Sequence, residues 1–239
     1  MSAKEFVIVG GSKGMGSAIV KKLAAEGHRV LVLSRTAGAI AGLENVTHIP
    51  FDATKDEVPT LPAVIHGLAY CPSSLNLRPI RSLKPDVFRQ DFELHVVGAV
   101  RVIQAALPSF SDGSSILLFS TVAVAQGMNA HASIAAAKGA IEGLARTLAA
   151  ELAPKIRVNC IAPAMTDTSL TERFFTDPEK AKTFGEKYPL ARTGTTDDIA
   201  NIGHFLLTPA SSWITGQVIG MDGGLGHLLP ARRPPRPAN

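Results

Sequence analysis

An apolar run, Phe6–Val9, opens directly into Gly10-Gly11-Ser12-Lys13-Gly14-Met15-Gly16, and a helical pattern follows without a gap. Glycines at 10, 14 and 16 permit a tight turn, a close approach of backbone to an anion, and close packing of a helix on the strand. The start of such a helix offers free N–H groups and the positive end of its dipole to a phosphate. An ordinary glycine-rich strand-to-helix turn can look the same, so the context decides between the two.

That context is a regular alternation of apolar runs with helical patterns. The runs at Phe6–Val9, Arg29–Leu33, Val46–Ile49, Val64–Ala69, Ser115–Phe119, Arg157–Ile161 and Val218–Met221 read as strands. Helical patterns cover Gly16–Glu26, the stretch from Pro85 to about Leu107, Ala132–Leu152 and Asp197–Leu206. Gly27, Pro108 and Pro154 stand where the first three should stop. Strands joined through helices of this length require right-handed crossovers, hence a parallel sheet. Hydrophobic residues make up 46% of the chain but aromatics only 5%, so its core is aliphatic, as strands buried on both faces require. The expected fold is α/β, a Rossmann-type doubly wound parallel sheet of about seven strands with helices on both faces. In such a sheet, ligands bind at the carboxyl ends of the strands.

No shift in composition divides the chain before about residue 227, so residues 1–226 read as one domain. Beyond it, His227–Asn239 carries four prolines and three arginines and reads as a disordered tail. Those arginines account for three of the formal +4 charges, leaving about +1 for the body. The basic balance is therefore no argument for nucleic acid. The start carries no signal-peptide pattern, and no apolar run approaches the roughly 18 residues of a membrane span. A cytoplasmic protein without a membrane partner is expected. Cys71 and Cys160 lie far apart in apolar surroundings, without metal-ligand spacing, and no metal site is expected.

The glycine stretch resembles the T-G-x-x-x-G-x-G motif of the short-chain dehydrogenase/reductase family, with Val9 in place of the leading Thr. The resemblance continues over roughly residues 4–226. Pro189-Leu190-Ala191-Arg192-Thr193-Gly194 followed by Asp197-Asp198-Ile199-Ala200 is similar to the family's P-L-x-R-x-G…D-I-A segment. Gly216–Gly224 resembles its terminal strand and turn, and Asn159 and Pro163 match the stretch around its sixth strand. The resemblance implies a nicotinamide cofactor, a small-molecule substrate, a variable substrate loop at about 165–190, and a homodimer or homotetramer.

NAD-preferring proteins end the second strand with an acid that bonds the ribose hydroxyls. Here that place reads Leu33-Ser34-Arg35, without a carboxylate to repel a 2′-phosphate. Arg35 can grip a phosphate bidentately and Lys13 adds a second charge, which points to NADP(H). Gly10, Ser12, Lys13, Gly14, Met15 and Gly16, with Ser34 and Arg35, form the expected cofactor contacts. By resemblance Asp52 lies beside the adenine, though a lone loop Asp serves equally as a helix cap. Pro163, Thr168 and Lys138 complete the cofactor set. Phe174, Phe175 and Phe184 either close over an apolar substrate or form the core of the substrate loop.

The resemblance implies a Ser, a Tyr and a Lys as catalytic groups, with an Asn on the preceding long helix. Ser120 matches the Ser and Lys138 the Lys. The Tyr belongs four residues before Lys138, and that residue is Ile134. The Asn position holds His95, and Tyr70-Cys71-Pro72-Ser73 stands in place of Asn-Asn-Ala-Gly. His131, two helical turns before Lys138, is a candidate replacement acid; otherwise it starts the helix. Ser133 points about 100° away from it. Two functions follow. One is an NADPH-dependent reductase of a small carbonyl or activated C=C compound with an altered proton donor. The other is a non-catalytic NADP(H)-binding sensor or partner subunit.

Overall fold

The computed structural model describes residues 3–228, so most of the expected disordered tail lies outside the described residues. Seven strands form one parallel sheet: β1 (Glu5–Val9), β2 (Arg29–Ser34), β3 (Val46–Pro50), β4 (Ile65–Tyr70), β5 (Phe110–Phe119), β6 (Ile156–Pro163) and β7 (Val218–Met221). Their spatial order is β3-β2-β1-β4-β5-β6-β7, and every pairing is parallel. Sequence order therefore reverses direction at β1, between β2 and β4, which opens a crevice beyond the carboxyl ends of β1 and β4.

Strand pleating assigns alternate residues to opposite layers. On β1, Phe6 and Ile8 pack with Ile19, Leu23, Ile199 and Leu206, whereas Val7 and Val9 pack with Val102, Ile103, Ile141 and Ala145. The first layer belongs to α1 (Gly14–Ala25) and, after the outlying α2 (Pro85–Phe92), α3 (Gly98–Ala106), α4 (Ala123–Gln126), α5 (Ala132–Leu152) and α6 (Pro178–Gly185), to α7 (Thr196–Leu207). The second layer belongs to α3 and α5. Thr195 caps α7 reciprocally with Asp198, as the acidic start of that helix leads one to expect. At its other end the buried Arg157 guanidinium donates to the carbonyls of Leu206 and Thr208, satisfying acceptors that a helix terminus leaves open.

The helix expected from Pro85 to about Leu107 is interrupted. One turn of π-helix, Glu93–Val97, separates α2 from α3. Tyr70, at the end of β4, donates its hydroxyl to the Leu94 carbonyl at 2.6 Å, drawing off an acceptor that a regular helix uses internally. Gly98 makes room for it: a Cβ there would collide with the Tyr70 hydroxyl.

Among the described residues no helix is long and apolar enough to cross a membrane. Trp213, on the turn between α7 and β7, is 98% exposed.

Candidate functional site

A cleft of about 1310 Å³ runs along the carboxyl ends of β2, β1 and β4. Most of the residues that the sequence assigned to the cofactor, Lys138 and Pro163 excepted, meet in it: Gly10, Ser12, Lys13, Gly14, Met15, Gly16, Ser34, Arg35, Asp52 and Thr168 line the wall. Gly16 seats α1 on the loop, since a Cβ there would stand 2.5 Å from the Gly10 carbonyl oxygen. Lys13 and Arg35 are exposed at the cleft while Ser34 is buried. The Ser34 hydroxyl donates to the Thr36 carbonyl and lies 3.1 Å from His48 Nε2. Asp52 lines the cleft and accepts from the Thr54 amide and hydroxyl, bonds that lower its pKa. Pro163 ends β6 in a buried place and does not line the cleft.

The inner half of the cleft, past β1, is lined by Cys71, Pro72, Ser73 and Ser74 after β4 and by Asp91 and Leu94 from the opposing helix. Asp91 is only 1% exposed. Its Oδ1 accepts from Ser74 Oγ at 2.6 Å and Asn76 Nδ2 at 2.8 Å, and its Oδ2 accepts from Ser133 Oγ. Ser74 Oγ also lies 3.1 Å from His95 Nε2. Because Ser74 gives its one hydrogen to the acceptor-only carboxylate, it accepts from His95 in turn, so His95 carries its proton on Nε2. His95 Nδ1 is then a bare acceptor and has no partner in hydrogen-bond geometry. The Pro72 carbonyl nearby favours the protonated ring without meeting that geometry. Burial, helped by the Lys138 charge, lowers the His95 pKa to about 2, so its ring is neutral at pH 7.

Lys138 is buried and donates from Nζ to the Phe119 carbonyl at 2.8 Å. Burial lowers its pKa to about 8, opposed by Cys160, Cys71 and Asp91. The Cys71 thiol is pushed up to about 12 by burial and stays uncharged.

Two expected catalytic groups are not brought to this place. Ser120, at the end of β5, donates to Glu142 Oε1 at 2.7 Å and does not line the cleft. His131 sits at the N-cap of α5 with its Nδ1 2.7 Å from the Asn129 carbonyl, also away from the cleft. It stands at the start of the helix. Ile134 is buried, 3% exposed, with no proton to give. The aromatic residues of the substrate loop also resolve: Phe174 and Phe184 pack on each other with ring centroids 6.2 Å apart, and neither lines the cleft. Tyr188 accepts from the Met165 amide and fastens the start of that loop.

Asp91, Ser74 and Asn76 escaped the sequence reading, and Ser133 entered it only in passing. Their sole signal there is polarity. A carboxylate within a helical pattern looks like an ordinary surface acid until the fold buries it. Among the described residues no group of three or more His, Cys, Asp or Glu is placed to hold a metal.

The fold agrees with the comparisons. The family model described as enoyl-(acyl carrier protein) reductase matches residues 41–226. An uncharacterized oxidoreductase from Methylorubrum extorquens is 31% identical, covering 94% of this chain and 98% of its own length. The 3-oxoacyl-[acyl-carrier-protein] reductase MabA of Mycobacterium tuberculosis is 28% identical, covering 94% of this chain and 93% of its own. The structure of a short-chain type dehydrogenase/reductase from Mycobacterium ulcerans superposes with a TM-score of 0.86 at 28% identity, over 95% of this chain and 91% of that one. The aldohexose dehydrogenase of Thermoplasma acidophilum gives 0.85 at 25% identity, over 97% of each. The chain belongs to the short-chain dehydrogenase/reductase family of oxidoreductases.

Proposed function

We propose that the protein is an NADPH-dependent reductase of a small carbonyl or activated C=C compound. The observation that carries this reading is the cleft's outer end. Arg35 and Lys13 both line it, and β2 ends in Ser34 rather than in an acid. Two exposed cations there favour a 2′-phosphate. The Gly16 seat, which leaves no room for a side chain, suits a pyrophosphate held against the start of α1. When bound, the cofactor supplies the hydride.

The protein must supply the proton. With Ile134 in the tyrosine's place and His131 at the start of α5, the ammonium of Lys138, buried behind the inner half and not on its wall, is the acid left to feed a proton relay into it. Its pKa of about 8 keeps it protonated at neutrality yet able to release the proton, the match that general acid catalysis favours. Single-turnover oxidation of NADPH, with protein in excess, against a panel of carbonyl and enoyl compounds tests the reading. Lys138→Ala and Lys138→Arg are both expected to lose about 10²–10⁴-fold in rate, since arginine keeps the charge but holds its proton. An undiminished rate in Lys138→Ala overturns the assignment.

The buried Ile134 favours a second reading, an NADP(H)-binding sensor or partner subunit without turnover. NADPH that binds but stays reduced with every acceptor selects it. Either reading carries the homodimer or homotetramer expected from the family resemblance.

A further inference from the structure

Asp91 is buried at the cleft with only uncharged donors on its oxygens. Among the described residues, no Lys, Arg or His nitrogen lies within 4 Å of its carboxylate. Removing a carboxylate from water without a close cation is costly, and hydrogen bonds from hydroxyls and an amide offset only part of that. Lys138 is close enough to feel the charge, but its ammonium is turned to the Phe119 carbonyl and it does not line the cleft. The other titratable groups of the inner half, His95 and Cys71, are uncharged at neutral pH. Of the charged residues that line the cleft beside it, Arg89 is paired with Asp86, and Glu93 is a second acid rather than a counter-ion.

The sheet order gives this carboxylate its meaning. Arg35 and Asp52, at the ends of β2 and β3, mark the adenosine half of the cleft, and the glycine loop of β1 marks its middle. The half past β1, where Ser74 and Asp91 face each other, is left for the nicotinamide. That ring is neutral when reduced and carries a positive charge once the hydride has left.

Resting on the NADPH reading above, we infer that Asp91 is an anionic wall of the nicotinamide half, built to favour the oxidised, positively charged ring over the reduced one. Oδ1 accepts two hydrogen bonds and Oδ2 one, so the carboxylate is held rigidly by Ser74, Asn76 and Ser133 and cannot swing away to water. A fixed negative charge there stabilises the product of hydride loss and so makes the bound reduced cofactor a stronger hydride donor. Asp91 thereby shifts the equilibrium of hydride transfer between the bound species toward the oxidised cofactor, leaving the overall equilibrium unchanged.

Calorimetric titration of the unaltered protein, Asp91→Asn and Asp91→Glu with NADP⁺ and with NADPH tests this without turnover. Asp91→Asn is expected to raise the ratio of Kd for NADP⁺ to Kd for NADPH about tenfold, as loss of a unit charge about 6 Å away predicts at an effective dielectric near 40, between protein and water. Asp91→Glu, which keeps the charge, should move it much less. A ratio unchanged within about twofold in Asp91→Asn, with both cofactors still bound, overturns the inference and leaves the NADPH reading standing. Failure of the unaltered protein to bind either cofactor overturns that reading and the inference with it. Should Asp91→Asn not fold, the unaltered protein still answers. NADP⁺ is expected to bind about tenfold tighter than 2′-phospho-ADP-ribose, which lacks the charged ring. Equal affinities overturn the proposal.

Discussion

Arg35 follows the last residue of β2, exposed, with its charge already felt by Asp52 across the outer cleft. A charge-assisted bidentate contact contributes about 1.5–3 kcal/mol. Arg35→Ser should therefore weaken binding of NADPH about 10- to 100-fold while leaving NADH nearly unaffected, which titration with each cofactor checks. Equal losses for both would mean that Arg35 shapes the strand end rather than reading the phosphate. Its place at the cleft was legible in the sequence because it depends on one position, the end of the second strand. Ser120 was not. Its position after β5 could be read from the sequence, but the direction of its hydroxyl is fixed by Glu142 on α5. Asp91 was harder still, because its three donors lie 15 to 42 residues away along the chain.

At the scale of elements, strand positions followed from apolar runs to within a residue or two, except at β5. That strand begins at Phe110 and not Ser115, since Ser111–Ser114 pair irregularly with β4 through a register shift between Ile65 and Gly67. Polar residues around Gly113 read as a loop in sequence, and a bulge disguises a strand in just this way. The π-turn at Glu93–Val97 was equally hidden, because its cause is a hydroxyl arriving from β4. Gly98→Ala would force Tyr70 aside and should destabilise the protein by about 1–3 kcal/mol, as overpacking does. In a Tyr70→Phe background, which lacks the obstructing oxygen, the added cost should shrink. A double-mutant cycle in urea measures the difference. Identical costs in the two backgrounds would sever the link between Tyr70 and the turn.

For the molecule as a whole, acid is the expected weakness. The pKa values of His28, His66 and His95 are all lowered, each chiefly by burial. Below the ordinary histidine pKa of about 6.5 the unfolded chain takes up protons that the folded one refuses. The stability these residues permit is therefore complete above about pH 6.5 and is lost as pH falls. For His95 alone, which resists protonation down to about 2, the loss is about 1.4 kcal/mol per pH unit, or about 2 kcal/mol at pH 5. Urea midpoints at pH 7.5 and pH 5 should converge in His95→Asn relative to the unaltered protein; an unchanged gap would show that His95 titrates normally.

Trp213 is the chain's single tryptophan and stands almost wholly in solvent. The intrinsic indole emission of the protein therefore reports on one place, the corner between α7 and β7, and on nothing in the core. An isolated subunit should emit as a free indole in water does, and folding alone should barely change its colour. A shift toward the blue on raising the protein concentration would then signal another surface closing over that corner, so the chain carries a built-in optical gauge of its own association.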